Sequence, residues 1–202
     1  MSAQELRGQL NFADLPSDQE VSDWLMAIST TYRDAYDAIL DRTYVDRIQF
    51  KSVRRDPLDF SEIGVFFVDR TVEIRISKQL TGAERVRTMT HEIFNTYLNE
   101  EHRQIDAAAA QGFLNAREFA VAHEIYEYEA WRIYHRCLVD VERQLGEGHL
   151  PAGLYYWTTA HKVRAYKLPP LFAYLKHMEE SRHMNHYLEW FEKHYSQRQP
   201  QD

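Results

Sequence analysis

The chain reads as a mostly helical α+β protein with a small antiparallel β-sheet packed against one helix, and three observations predict this. Apolar residues recur at three- and four-residue steps after Pro16. The period falls to two between about residues 44 and 76, and from Ser77 a helical period returns almost to the end. With 44% hydrophobic and 13% aromatic residues in 202, there is material for one sizeable core, so a single domain over residues 1–202 is expected.

The elements follow in order. Pro16-Ser17-Asp18 opens a helical segment whose Val21, Trp24, Leu25, Ile28, Tyr32, Tyr36 and Ile39 share one face. Tyr44 to Phe50 alternates apolar with polar and predicts a strand. Ile63 to Val68 and Val72 to Ile76 are β-branched and aromatic runs separated by Asp69-Arg70-Thr71, the pattern of an antiparallel hairpin. Helices are expected from Ala83 to about Glu100, near Ile105 to Phe113, and from about Ala116 to Leu145, where Gly146-Glu147-Gly148 stops the last. Two or three further helices, punctuated by Pro151, Pro169 and Pro170, end near Tyr195.

Composition narrows the function classes. Twenty-four Lys and Arg against 31 Asp and Glu give a net charge of -7, which argues against a large phosphate-binding face and against nucleic acid as partner. Lys51, Arg54 and Arg55 stand beside Asp56 and Asp59 and read as a solvated loop. One cysteine, Cys137, permits no internal disulfide; its apolar helical setting predicts a buried structural thiol in a chain made in a reducing compartment, cytoplasmic as synthesised. The first 30 residues lack a basic stretch followed by an apolar core, and no segment approaches a membrane span, so any release follows a signal-independent route. The glycines are too scattered for a nucleotide fingerprint, and no G-x-S-x-G elbow occurs.

The chemistry concentrates in His91-Glu92-Ile93-Phe94-Asn95. An H-E-x-x-H helix binds zinc through its two histidines and holds a glutamate beside the metal-bound water. Positions 91 and 95 lie about 40° apart around a helix, so His91 and Asn95 share a face with Glu92 alongside. Farther on, Phe119, Ala122, Ile125, Tyr126, Ile133 and Cys137 trace an apolar stripe with Glu129 at its centre. A carboxylate there is expected to be protonated, paired or bound to a cation, with Arg132 and Arg87 as ion-pair partners. Glu127, about 200° around the helix from Glu129, is the lesser candidate.

The order of hairpin, T-H-E-x-x helix and later E-x-E-A-W helix resembles the gluzincin branch of the zincin metallopeptidases, particularly the compact domains of bacterial effectors and polymorphic toxins. It covers about residues 60–140 and leaves a helical C-terminal part of about 150–196 unmatched. The resemblance implies zinc held by His91 and Glu129, Glu92 as general base, and a protein or peptide as substrate. Asn95 stands where the family has its second His, and a neutral amide oxygen is a poor zinc ligand. Four outcomes follow: His123 or His102 replaces the ligand, a harder cation is preferred, the domain is a pseudoenzyme that binds a protein through its vestigial cleft or aromatic C-terminal helices, or the His was replaced to silence the activity.

Two other features invite chemistry. Glu180-x-x-His183, with His186 one turn on, matches one half of a di-iron motif but lacks its second half, so a His-rich helix packing through Met184, Tyr187, Leu188 and Phe191 is expected. The aromatic run Leu154 to Trp157, with Ala165-Tyr166 and Phe172-Ala173-Tyr174, reads mainly as core and partly as a docking surface.

Overall fold

A computed structural model describes residues 17–42, 44–54, 64–80, 82–146, 150, 152–154 and 168–196. Among these are seven α-helices and one three-stranded sheet, the mostly helical α+β class that the periodicities predict. The chain forms two compact units: Met1–Tyr97 with Ile133–Lys167, and Leu98–Arg132 with Leu168–Asp202. No described helix is long and apolar enough to cross a membrane.

In the first unit, Ser17 and Glu20 form a reciprocal capping box that starts α1, Asp18–Ile28. The single helical segment expected here is two helices. Ser29 takes an extended conformation (φ -113°, ψ 116°), and its hydroxyl accepts from the Tyr32 N–H to start α2, Thr30–Leu40. The apolar face survives the break, with Val21, Trp24, Leu25, Ile28, Tyr32 and Ile39 all buried and Tyr36 half-buried.

Strands β1 (Arg47–Val53), β2 (Gly64–Val68) and β3 (Thr71–Ser77) form a sheet in the order β1-β3-β2. β2 and β3 are the expected antiparallel hairpin, turned by Asp69 and Arg70 at φ 45° and 62°, the left-handed pair that suits strand twist. β1 lies parallel to β3, with Arg47 opposite Thr71, so the sheet is mixed and not wholly antiparallel. Alternation fixes which face of a strand is buried but is silent on its direction. As the middle strand, β3 buries Val72, Ile74 and Ile76 completely.

Against β3 and β2 packs α3, Gly82–Tyr97, which buries Val86, Met89, Ile93 and Phe94. The Phe94 ring meets Tyr32 edge-on at 6.1 Å. Arg42 finishes α3 by donating to the carbonyls of Thr96 (2.7 Å) and Tyr97, which a helix C-terminus otherwise leaves unsatisfied.

The longest helix, α5 (Ala116–Leu145), serves both units, and Gly146 at φ 94° ends it. Its last part buries Tyr134, Cys137, Leu138 and Val141 in the first unit. Burial pushes the Cys137 thiol up to about 12, so it is the inert structural cysteine expected. Nearby, Asp140 accepts from the Thr31 N–H (2.9 Å) and from the hydroxyls of Ser29 and Thr30 (both 3.1 Å). Burial pushes the Asp140 carboxyl up, but these donors outweigh it and hold the group below its ordinary value.

The second unit contains α4 (Asn99–Ala110), the first part of α5, α6 (Leu171–Glu180) and α7 (Met184–His194). Asn115 and Glu118 cap the start of α5 reciprocally. Ile105, Ala109, Phe119 and Phe191 form the apolar heart of the unit, with Tyr126, Tyr187 and Tyr195 packed around it. Tyr155, Tyr156, Trp157, Tyr166 and Arg55, singled out in the sequence, lie outside the described residues.

Candidate functional site

His91, Glu92 and Asn95 lie on α3 as the periodicity requires, directly after the sheet. His91 is buried, and Glu92 and Asn95 are half-buried. Thr90 and Thr96, on either side, turn their hydroxyls back onto the carbonyls of Val86 and Glu92, both at 2.7 Å. This segment belongs to the first unit, whereas Glu129 belongs to the second.

Glu129 differs from the sequence reading in its surroundings. Its side chain is 35% exposed, and both carboxylate oxygens accept from Arg132 Nη1, at 2.6 and 2.9 Å. The partner is one of the two arginines anticipated. The other, Arg87, donates to the Gly153 carbonyl at 3.1 Å. Glu127 accepts from the Tyr187 hydroxyl at 2.9 Å. As a donor set for zinc, one imidazole, one neutral amide and a carboxylate already held by an arginine fit poorly. Among the described residues, no three His, Cys, Asp or Glu side chains are grouped so as to hold a metal ion.

The buried carboxylate of α5 is Glu124, which is 0% exposed. One oxygen lies 2.6 Å from His183 Nδ1, and the other accepts from the Tyr174 hydroxyl at 3.2 Å. Here His183 serves a structural carboxylate, while Glu180, its partner in the E-x-x-H step, faces Lys176 at 3.7 Å.

Next to Glu124 along the helix, His123 is 5% exposed and meets His102 of α4 through facing Nδ1 atoms 2.8 Å apart. These are the two histidines considered as replacement ligands, and each has the other as its neighbour. Tyr187 stacks on the His123 ring (4.6 Å between centroids, 9° between planes), and Phe119 meets it edge-on at 4.4 Å. His123 Nε2 is buried without a hydrogen bond, 3.9 Å from an Asp106 oxygen that accepts from the Tyr195 hydroxyl at 2.9 Å. Burial, and next the neighbouring His102, pushes His123 down to about 3. Burial also lowers His102, against the pull of Glu127, Asp106 and Glu101, and raises Asp106.

Sequence reasoning missed this polar interior, although a signal was present. His102 and Asp106 are four residues apart, as are His123 and Glu127, which puts each pair on one side of its helix. No protein-family profile, curated protein or solved structure matches the chain.

Proposed function

We propose that this protein is a non-catalytic derivative of a zincin-like domain that acts by binding a protein partner. The observation that carries the reading is the Glu129–Arg132 pair. A carboxylate in an apolar stripe needs a counter-charge, from a cation or an arginine. A one-third exposed carboxylate that accepts twice from an arginine one turn away has its counter-charge already. The antiparallel hairpin of β2 and β3 leading into the His91 helix is the part of the resemblance that supports a zincin ancestry. For the binding half, the C-terminal helices expose Phe172 (76%) and Trp190 (44%), large apolar side chains of the kind that anchor protein interfaces.

The test is a zinc titration of purified full-length protein at neutral pH, followed by an assay on a mixed peptide library. Expected are less than stoichiometric zinc, no dependence of binding on His91, and no turnover distinguishing wild type from Glu92→Gln. Stoichiometric zinc lost on His91→Ala, with cleavage lost on Glu92→Gln, would overturn the reading in favour of an active peptidase.

A further inference from the structure

We propose that His102 and His123 form an acid-sensitive latch, which closes α4 onto α5 only while their facing Nδ1 atoms share a single proton. A neutral imidazole carries one N–H, so at a separation of 2.8 Å one Nδ1 donates and the other accepts. A first added proton can go to the outer nitrogen of the donor ring, and the Nδ1–H···Nδ1 bond persists. A second must go to the accepting Nδ1, and two N–H groups then point at each other across 2.8 Å. The contact cannot hold two protons beyond its neutral count, so the second forces the rings apart.

The surroundings prevent a local escape of the His123 ring, whereas His102 is half-buried. The His123 ring is sandwiched by Tyr187 and Phe119 and cannot swing away without opening the core around Phe191 and Ile105. Among the described residues, the titratable groups facing the pair can be named. From α4 come Glu101 and Asp106, from α5 Tyr126 and Glu127, and from α7 His186, Tyr187 and, through Asp106, His194 with the adjoining Tyr195. On α6, Tyr174 is committed to Glu124. Glu127 and Asp106 favour the first proton, whereas His102 and His186 oppose the second. Asp106 works against opening, because burial raises it and the closed form therefore welcomes its proton as the pH falls. The histidine pair is the part of this interior that acid loosens.

A histidine held near 3 when closed and ordinary at about 6.5 when open raises the opening constant about 30-fold at pH 5 relative to pH 7.5. The experiment is hydrogen exchange of the full chain at these two acidities, corrected for the intrinsic exchange rate and read peptide by peptide. Expected is a rise of that order in α4, residues 116–132 and α7, with β3 and α3 unchanged, and its disappearance in His123→Gln. Equal protection at both acidities, or an equal rise in His123→Gln, would overturn the proposal. If His123→Gln does not fold, the wild-type imidazole nitrogens decide by NMR. Expected is one Nδ1 of the pair, on His102 or His123, that stays unprotonated until the unit opens; titration of both rings near 6.5 in the folded protein overturns it. So does zinc that protects α4 at pH 7.5 in a His102-dependent way, since the pair is then a ligand pair.

Discussion

Two carboxylates five residues apart on α5 have opposite fates. Glu129 sits in the apolar stripe that the sequence traces, yet it is one-third exposed and rests on Arg132; Glu124 sits off that stripe and is wholly buried against His183 and Tyr174. Five residues turn a helix through about 500°, so the two point about 140° apart. The stripe traced from Phe119 to Cys137 follows Ala122, Ile125 and Tyr126, which are only half-buried, and so runs beside the face that α5 buries. The buried residues of both parts of α5, among them Phe119, His123, Ala130, Tyr134 and Cys137, share one side of the helix; Glu124 lies at its edge and Glu129 lies off it.

That contrast sets an order of effects. Removing His183 leaves the Glu124 carboxylate in the interior with Tyr174 as its remaining partner in that network. His183→Ala is expected to cost about 3 kcal/mol of stability, at the low end for a broken buried pair because the imidazole is itself half in water. Chemical denaturation at neutral pH reads this; a loss under about 1 kcal/mol would make Glu124 no different from a surface carboxylate.

Acid comes next. His102 and His123 both have folded values depressed below the unfolded one. Their stabilising contribution is therefore full above about 6.5 and is lost as the pH falls, in the case of His123 down to about 3. Lowering the pH from 7.5 to 5 is expected to cost the Leu98–Arg132 and Leu168–Asp202 unit about 2 kcal/mol, the free-energy equivalent of the 30-fold opening. Stability that rises over this range would mean that Asp106 dominates.

Smaller again is Tyr174→Phe, which deletes one buried donor to Glu124 and is expected to cost about 1 kcal/mol by thermal unfolding. Last is Glu129→Ala. An exposed pair one helical turn apart contributes about 0.3 kcal/mol, so the midpoint should scarcely move, and a large shift would show that Glu129 holds more than Arg132.

Much of the fold was legible because it rests on periodicity and caps. The hairpin, the α3 helix after it, the start of α5 and its stop at Gly146 all appear where local residues dictate them. The break at Ser29 was not, because the apolar face continues through it and the Asp140 that accepts from its hydroxyl is 111 residues away. The direction of β1 was not either, because pairing partners are a tertiary choice. At the candidate site, the sequence located His91, Glu92 and Asn95 on one helix and named Arg132 among the partners of Glu129. It overlooked Glu124 because an acidic residue beside a histidine reads as solvent-facing until other helices cover it.

Asp140 also dictates an order of events during synthesis. It receives donors from residues 109 to 111 positions earlier, and the unit to which both ends belong is assembled from two separated stretches of chain. The first helices leave the ribosome with the Ser29 junction lacking its acceptor, and they wait until residue 140 has emerged. At about 5–20 residues per second, that wait is on the order of 5–20 s, during which the donors of Ser29, Thr30 and Thr31 have only water to meet.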